Sequence, residues 1–89
     1  MKLVEEIKNK AVITTKYVMN DNSPIVSVFY DEDGDWQFWG KEDFRIIDAC
    51  VLSVQQILDI DETLALIPNL LEGQSAFRKD KNSLWEIRN

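Results

Sequence analysis

The spacing of apolar and polar positions changes several times along the chain, and each change marks an element. Leu3, Val4 and Ile7 stand at i, i+1 and i+4, which predicts a short amphipathic helix over 3–9. Residues 11–19 (Ala-Val-Ile-Thr-Thr-Lys-Tyr-Val-Met) are dense in β-branched and aromatic side chains, the kind that fit a pleated surface, and predict a strand. Asn20-Asp21-Asn22-Ser23-Pro24 then breaks the pattern with residues that bond their own backbone or fix φ. A second strand is expected over 25–30, with Val26, Val28 and Tyr30 on one face and Ile25, Ser27 and Phe29 on the other. Asp33-Gly34 next suits a two-residue type I′ turn, which needs positive φ at both central positions. The hairpin closes with Trp36-Gln37-Phe38-Trp39, where Trp36 and Phe38 share one face, Gln37 and Trp39 take the other, and Gly40 ends the run.

Beyond the hairpin, 41–48 reads as a charged loop or helical turn and 48–54 as a third strand. Ser53 and Gln56 have capping-box spacing, and Asp61 is placed to cap a second helix. Ile57, Leu58, Ile60, Leu64, Leu66 and Ile67 form an apolar stripe that Pro68 ends. Gly73 separates it from Ser75-Ala76-Phe77-Arg78, and a polar turn at 79–82 leads to a last strand over 83–88. This order predicts an α+β domain: a mainly antiparallel sheet of about five strands with one or two helices packed on one face. No repeat or linker divides residues 1–89, so one domain is expected, with 1–10 as a lead segment.

Composition narrows the function. At 45% hydrophobic and 29% charged residues, the chain can close a core without disulfides. Sixteen acids against ten bases give a net charge of −6, which argues against a nucleic-acid partner, since Lys and Arg supply most phosphate-backbone affinity. The same charge suits a basic protein partner and equally serves solubility. Cys50 has no second cysteine to pair with and sits in an apolar run, which predicts a buried, inert thiol. Residues 1–6 turn charged at once and no long apolar run comes after them, so no secretory leader, no membrane partner and a cytoplasmic location are expected.

The sharpest candidate for chemistry is acidic. Asp31, Asp33, Asp35 and Glu42 fall at positions 1, 3, 5 and 12 of a calcium-loop spacing. Position 6, which must be glycine for the sharp turn, is Trp36, and β-branched residues precede where a helix should enter. No metal and no cofactor are therefore expected. Asp59, Asp61 and Glu62 read as helix-capping carboxylates. The chain has no histidine and no nucleophile motif, so no catalytic residue is expected. Three tryptophans remain, and three large apolar rings are not left in water without a reason. Alternation sets Trp39 opposite Trp36, so one of the two turns outward. With Asp31, Glu32, Asp33 and Asp35 as an acidic rim, an outward Trp39 would form a partner-binding surface.

The Asp33-Gly34-Asp35-Trp36 hairpin, the Ile57-Leu58-Asp59-Ile60-Asp61 junction and the Gly73-x-x-Ala76-x-Arg78 element, with 13–18, together resemble a family of small bacterial proteins. That family is labelled as a domain of unknown function, and some relatives are grouped with immunity proteins of polymorphic toxin systems. The resemblance covers about residues 11–88 and leaves the first ten outside it. It implies a cytosolic bacterial protein that neutralises a toxin. The expectation is thus a non-catalytic protein-binding module of immunity type, whose acidic tip and exposed aromatic cover a basic toxin surface. The alternatives are a structural or regulatory domain that forms a homodimer through an open sheet edge, a calcium-binding loop, and an enzyme acting through carboxylates alone.

Overall fold

The computed structural model describes residues 1–42 and 45–89. Among these residues, six strands form one sheet: β1 (Ala11–Thr15), β2 (Ser27–Tyr30), β3 (Trp36–Trp39), β4 (Ala49–Ser53), β5 (Ser75–Phe77) and β6 (Glu86–Arg88), in the order β4-β1-β3-β2-β5-β6. Only β1 and β3 run parallel, with Ile13 beside Gln37; every other neighbouring pair is antiparallel. Helices α1 (Lys16–Asp21) and α2 (Val54–Ile60) and short 3-10 turns at Leu3–Glu5, Ile46–Asp48 and Glu62–Leu66 complete a mainly antiparallel α+β fold, with one strand more than expected.

The connections explain why one face of the sheet is covered. The chain leaves β1 through α1 and crosses from β4 to β5 through α2 and the Glu62–Leu66 turn. Both routes pass under the same face. Val18, Val54, Ile57, Leu64, Ile67 and Leu70 there pack on the inward residues Val12, Val28, Tyr30, Trp36, Phe38 and Ala76. Tyr30 and Phe38 flank the Trp36 ring at centroid distances of 4.5 and 6.2 Å. Trp36 and Phe38 share the buried face and Trp39 lies opposite, as alternation requires.

Several boundaries differ from the expectation for local reasons. The strand expected over 11–19 stops at Thr15, whose Oγ1 accepts the Val18 N–H at 3.3 Å and caps α1; Asn22, at φ 53°, closes that helix in the left-handed region. The N-terminal helix is a single 3-10 turn that buries Leu3 and leaves Ile7 outside. Glu6 pins it instead by accepting the Trp36 indole N–H, so the lead segment is part of the core layer. The capping box is present: Ser53 Oγ accepts the Gln56 N–H, and Gln56 Oε1 accepts the Ser53 N–H. Asp61 caps as expected, though it opens the 3-10 turn at Glu62–Leu66 and not an α-helix. The second, third and last of the expected strands are each shorter than their sequence pattern suggests. Of the loop expected at 41–48, Asp43 and Phe44 lie outside the described residues, and Ile46–Asp48 is a 3-10 turn. No helix among the described residues is long and apolar enough to cross a membrane.

Candidate protein-recognition face

Register places the outward side chains in two rows across the six strands. One row runs Ala49, Thr15, Trp39, Ser27, Phe77, Glu86; the other runs Val51, Ile13, Gln37, Phe29, Ser75, Arg88. Thr15, which caps α1, and Ser75 are buried, and the other ten are exposed or half-buried. Val51 is 70% exposed, Ile13 38% and Phe29 36%. Phe29 meets Phe77 edge to face at 5.6 Å, and the Arg88 guanidinium lies 4.5 Å above the Phe77 ring. Trp39 is half-buried between Thr15 and Ser27 in its row. These are aromatic and β-branched residues on the side of a sheet where polar alternation is usual. Burial cannot explain them.

The face has two concave corners with different charge. Beside the hairpin tip, a pocket of about 290 Å³ is walled by Asp31 and Asp35 above Ile13, Gln37 and Val51. At the β5–β6 end, a groove of about 870 Å³ runs past Phe77, Leu84, Trp85, Lys79, Glu86 and Arg88. Leu84 stands there 90% exposed.

The tip is not the two-residue type I′ turn that its Asp-Gly pair predicts. The Gly34 N–H bonds the Asp31 carbonyl at 3.0 Å and the Asp31 N–H bonds the Asp35 carbonyl at 2.9 Å, so the loop has three residues, with only Gly34 at positive φ (80°). This is a type I turn followed by a glycine bulge. The Asp31 carboxylate sets it, because its Oδ1 accepts the N–H groups of Asp33 and Asp35, each at 2.9 Å. Asp31 therefore holds the turn together, while Glu32, Asp33 and Asp35 carry their charge into solvent. Lys10 reaches the tip from the lead segment and donates to the Gly34 carbonyl at 2.6 Å.

The structure does not bring Glu42 of the calcium-loop spacing to Asp31, Asp33 and Asp35. Glu42 lies past the far end of β3 from the tip, where both its oxygens accept from the Ser23 hydroxyl at 2.6 and 2.8 Å. Among the described residues, no three His, Cys, Asp or Glu side chains lie close enough to share a metal ion. Of the residues named from sequence, the structure thus gathers Asp31, Glu32, Asp33 and Asp35 at one rim of the face and sets Trp39 near its middle. Glu42 stays apart.

Comparison with family models, with curated proteins and with solved structures finds no match to this chain.

The remaining carboxylates of interest are buried and already engaged. Asp61 and Arg78 form an ion pair at 2.9 Å with side chains 4% and 1% exposed. Arg78 Nε also donates to the Ile25 carbonyl, Nη1 donates to the Thr63 hydroxyl, and the guanidinium stacks 4.3 Å above Trp85. Glu6 accepts from Trp36 Nε1 at 3.1 Å and from the Ile7 N–H at 3.0 Å, with Lys10 at 3.7 Å. Burial raises its pKa, but those two hydrogen bonds and the lysine charge outweigh burial and hold it below its ordinary value. Asp48 is held low chiefly by the Arg45 N–H, against burial, and by Lys16 at 3.1 Å. Cys50 is only half-buried on β4, not sealed as expected, because β4 is the edge of the sheet. Sequence reading misses the roles of Phe29, Phe77 and Arg88. Alternation sets Phe29 opposite Val28, but only the strand order tells which side of β2 the helices cover.

Proposed function

We propose that the protein is a non-catalytic protein-binding module that applies the uncovered face of its sheet to a partner with a basic rim. The observation that carries this reading is the exposed apolar set Phe29, Ile13 and Val51, with half-buried Phe77 edge to face against Phe29, a surface with aromatics of the type enriched at interfaces. Charge favours a basic partner: the chain carries −6, and Glu32, Asp33 and Asp35 stand exposed at one rim of the face. The absence of histidine agrees with a binding role. Within that reading we favour an immunity-type protein, cytosolic and bacterial, that occludes a basic toxin. The support is the resemblance carried by the hairpin, the Asp61 junction and Arg78, together with the physical fit of an acidic plug to a basic substrate cleft.

Co-purification from the native host at low salt tests it, using the wild-type protein, a Phe29→Ser/Phe77→Ser variant and an Asp33→Asn/Asp35→Asn variant. A basic protein held by the wild type should be lost from the face variant and should associate more slowly with the tip variant. Retention by the face variant, or a captured protein with no basic surface, defeats the reading. If the partner is toxic, co-expression of the wild type should restore growth and the face variant should not.

A further inference from the structure

The two edges of the sheet are unlike. At one end β6 is three residues long and carries Glu86 and Arg88, the charge and shortness that keep a sheet edge from pairing with another chain. At the other end β4 runs five residues, Ala-Cys-Val-Leu-Ser, with no charge and no proline, and among the described residues it pairs only with β1. Val51 on it is 70% exposed, and Ile47 in the turn before it is 76% exposed.

Hydrogen-bond alternation fixes which groups β4 presents. The Val54 N–H bonds the Lys10 carbonyl at 2.9 Å, so in this antiparallel ladder Leu52 and Cys50 turn their backbone groups toward β1, whereas Ala49, Val51 and Ser53 turn theirs away. The Ser53 N–H agrees, since it is taken by the Gln56 side chain on the outer side. The N–H and C=O of Val51 therefore point out from the sheet edge.

We infer that β4 pairs antiparallel with β4 of a second copy about a two-fold axis at Val51, joining two sheets into one. The sequence of β4 is self-complementary about that point. Val51 exchanges both backbone hydrogen bonds with its symmetry mate, and the two valines meet on the outer face beside Ile13. On the inner side Cys50 faces Leu52 of the second copy, so apolar groups meet apolar groups and no thiols are brought together. No like charges meet within the seam. A five-residue seam falls short of the about 800 Å² per partner of a standard interface, so the dimer forms and dissociates with concentration. Each copy carries −6, so added salt screens their repulsion and strengthens the dimer, the reverse of what salt does to an acidic face on a basic partner. The two proposals can therefore fail separately.

Sedimentation velocity on the intact chain tests this from dilute to concentrated samples at low and high salt. The wild type should pass from 10.4 kDa to twice that mass, more readily in high salt. Val51→Lys, which sets two ammonium groups against each other at the axis, should weaken association by roughly tenfold or more, whereas Val51→Thr should retain it. Circular dichroism checks that both variants are folded. Amide exchange gives a second readout: the Val51 N–H should exchange more slowly in the concentrated sample. A folded wild type that stays at its chain mass, assemblies larger than a dimer, a Val51→Lys variant that associates like the wild type, or a Val51 amide indifferent to concentration each overturns the inference.

Discussion

The two faces of the sheet are built from the same strands and obey opposite rules. On the inner face Val12, Val28, Trp36 and Phe38 are sealed under helices, and the buried charged groups there are tied to partners: Glu6 holds the Trp36 indole, and Asp61 with Arg78 ties the 3-10 turn to the end of β5. On the outer face Phe29, Ile13 and Val51 are equally apolar and stand exposed, with Phe77 half-buried beside Phe29. The inner face commits its apolar surface to stability, and on the proposed reading the outer face keeps its own for recognition. Mutations should separate the two cleanly.

The largest effect belongs to Trp36→Ala. It opens a core cavity and strips Glu6 of its indole donor, which places the loss toward the top of about 3–5 kcal/mol, a large share of a small domain's stability. Urea unfolding would measure it. Arg78→Ala comes next at about 3–5 kcal/mol, because it leaves the buried Asp61 charge with only Thr63 and the half-exposed Lys81 ammonium, 3.8 Å away, to balance it. The double change Arg78→Met/Asp61→Leu should cost less than Arg78→Ala alone, since no charge is then stranded. A double variant as unstable as the single one would show that Arg78 acts through shape instead of charge.

Acid should act on the inner side through Glu6. The folded pKa of Glu6 lies below its unfolded one, so its contribution is present above the unfolded value and fades as pH falls through the folded one. The loss sets in below about pH 4.3. Glu6→Gln should flatten that part of the stability profile, and an unchanged acid limb would place the sensitivity elsewhere. The smallest effects are on the outside. Phe29→Ser should cost about 1 kcal/mol or less, through the lost edge-to-face contact with Phe77. Asp33→Asn and Asp35→Asn should stay within about 0.5 kcal/mol. Should Phe29→Ser unfold the protein, the outer face would be structural after all.

Local features are legible in the sequence and spatial ones are not. The hairpin, the alternation of Trp36 and Trp39 and the Ser53–Gln56 box depend on residues at most a few positions apart, and sequence places them correctly. Helix α1 is hidden because Tyr17, Val18 and Met19 favour a strand; the signal that could have revealed it is Thr15 as cap and Asn22 as closing residue. The turn type differs from expectation because the Asp33-Gly34 pair is overruled by Asp31, whose carboxylate selects the longer loop. The Asp61–Arg78 pair joins positions 17 residues apart in sequence, and no local pattern announces it. The face itself is the hardest to foresee. An aromatic at Phe29 looks the same in sequence whether a helix lies over it or not, and only the crossing from β4 to β5 decides.

The single parallel contact, β1 against β3, bears on how the molecule comes together in time. The β2–β3 hairpin closes over a few residues and can form within microseconds, whereas β1 must wait until the chain has looped back past β2 to lie beside β3. Although β1 is made before the hairpin, it docks after it, and β4 must wait for β1. In pulse-labelled refolding, the amides of Phe29 and Gln37, a hydrogen-bonded pair of the hairpin, should gain protection ahead of those of Val12 and Leu52. The edge strand that turns the Val51 backbone groups out of the sheet would then also be a late arrival beside its neighbour.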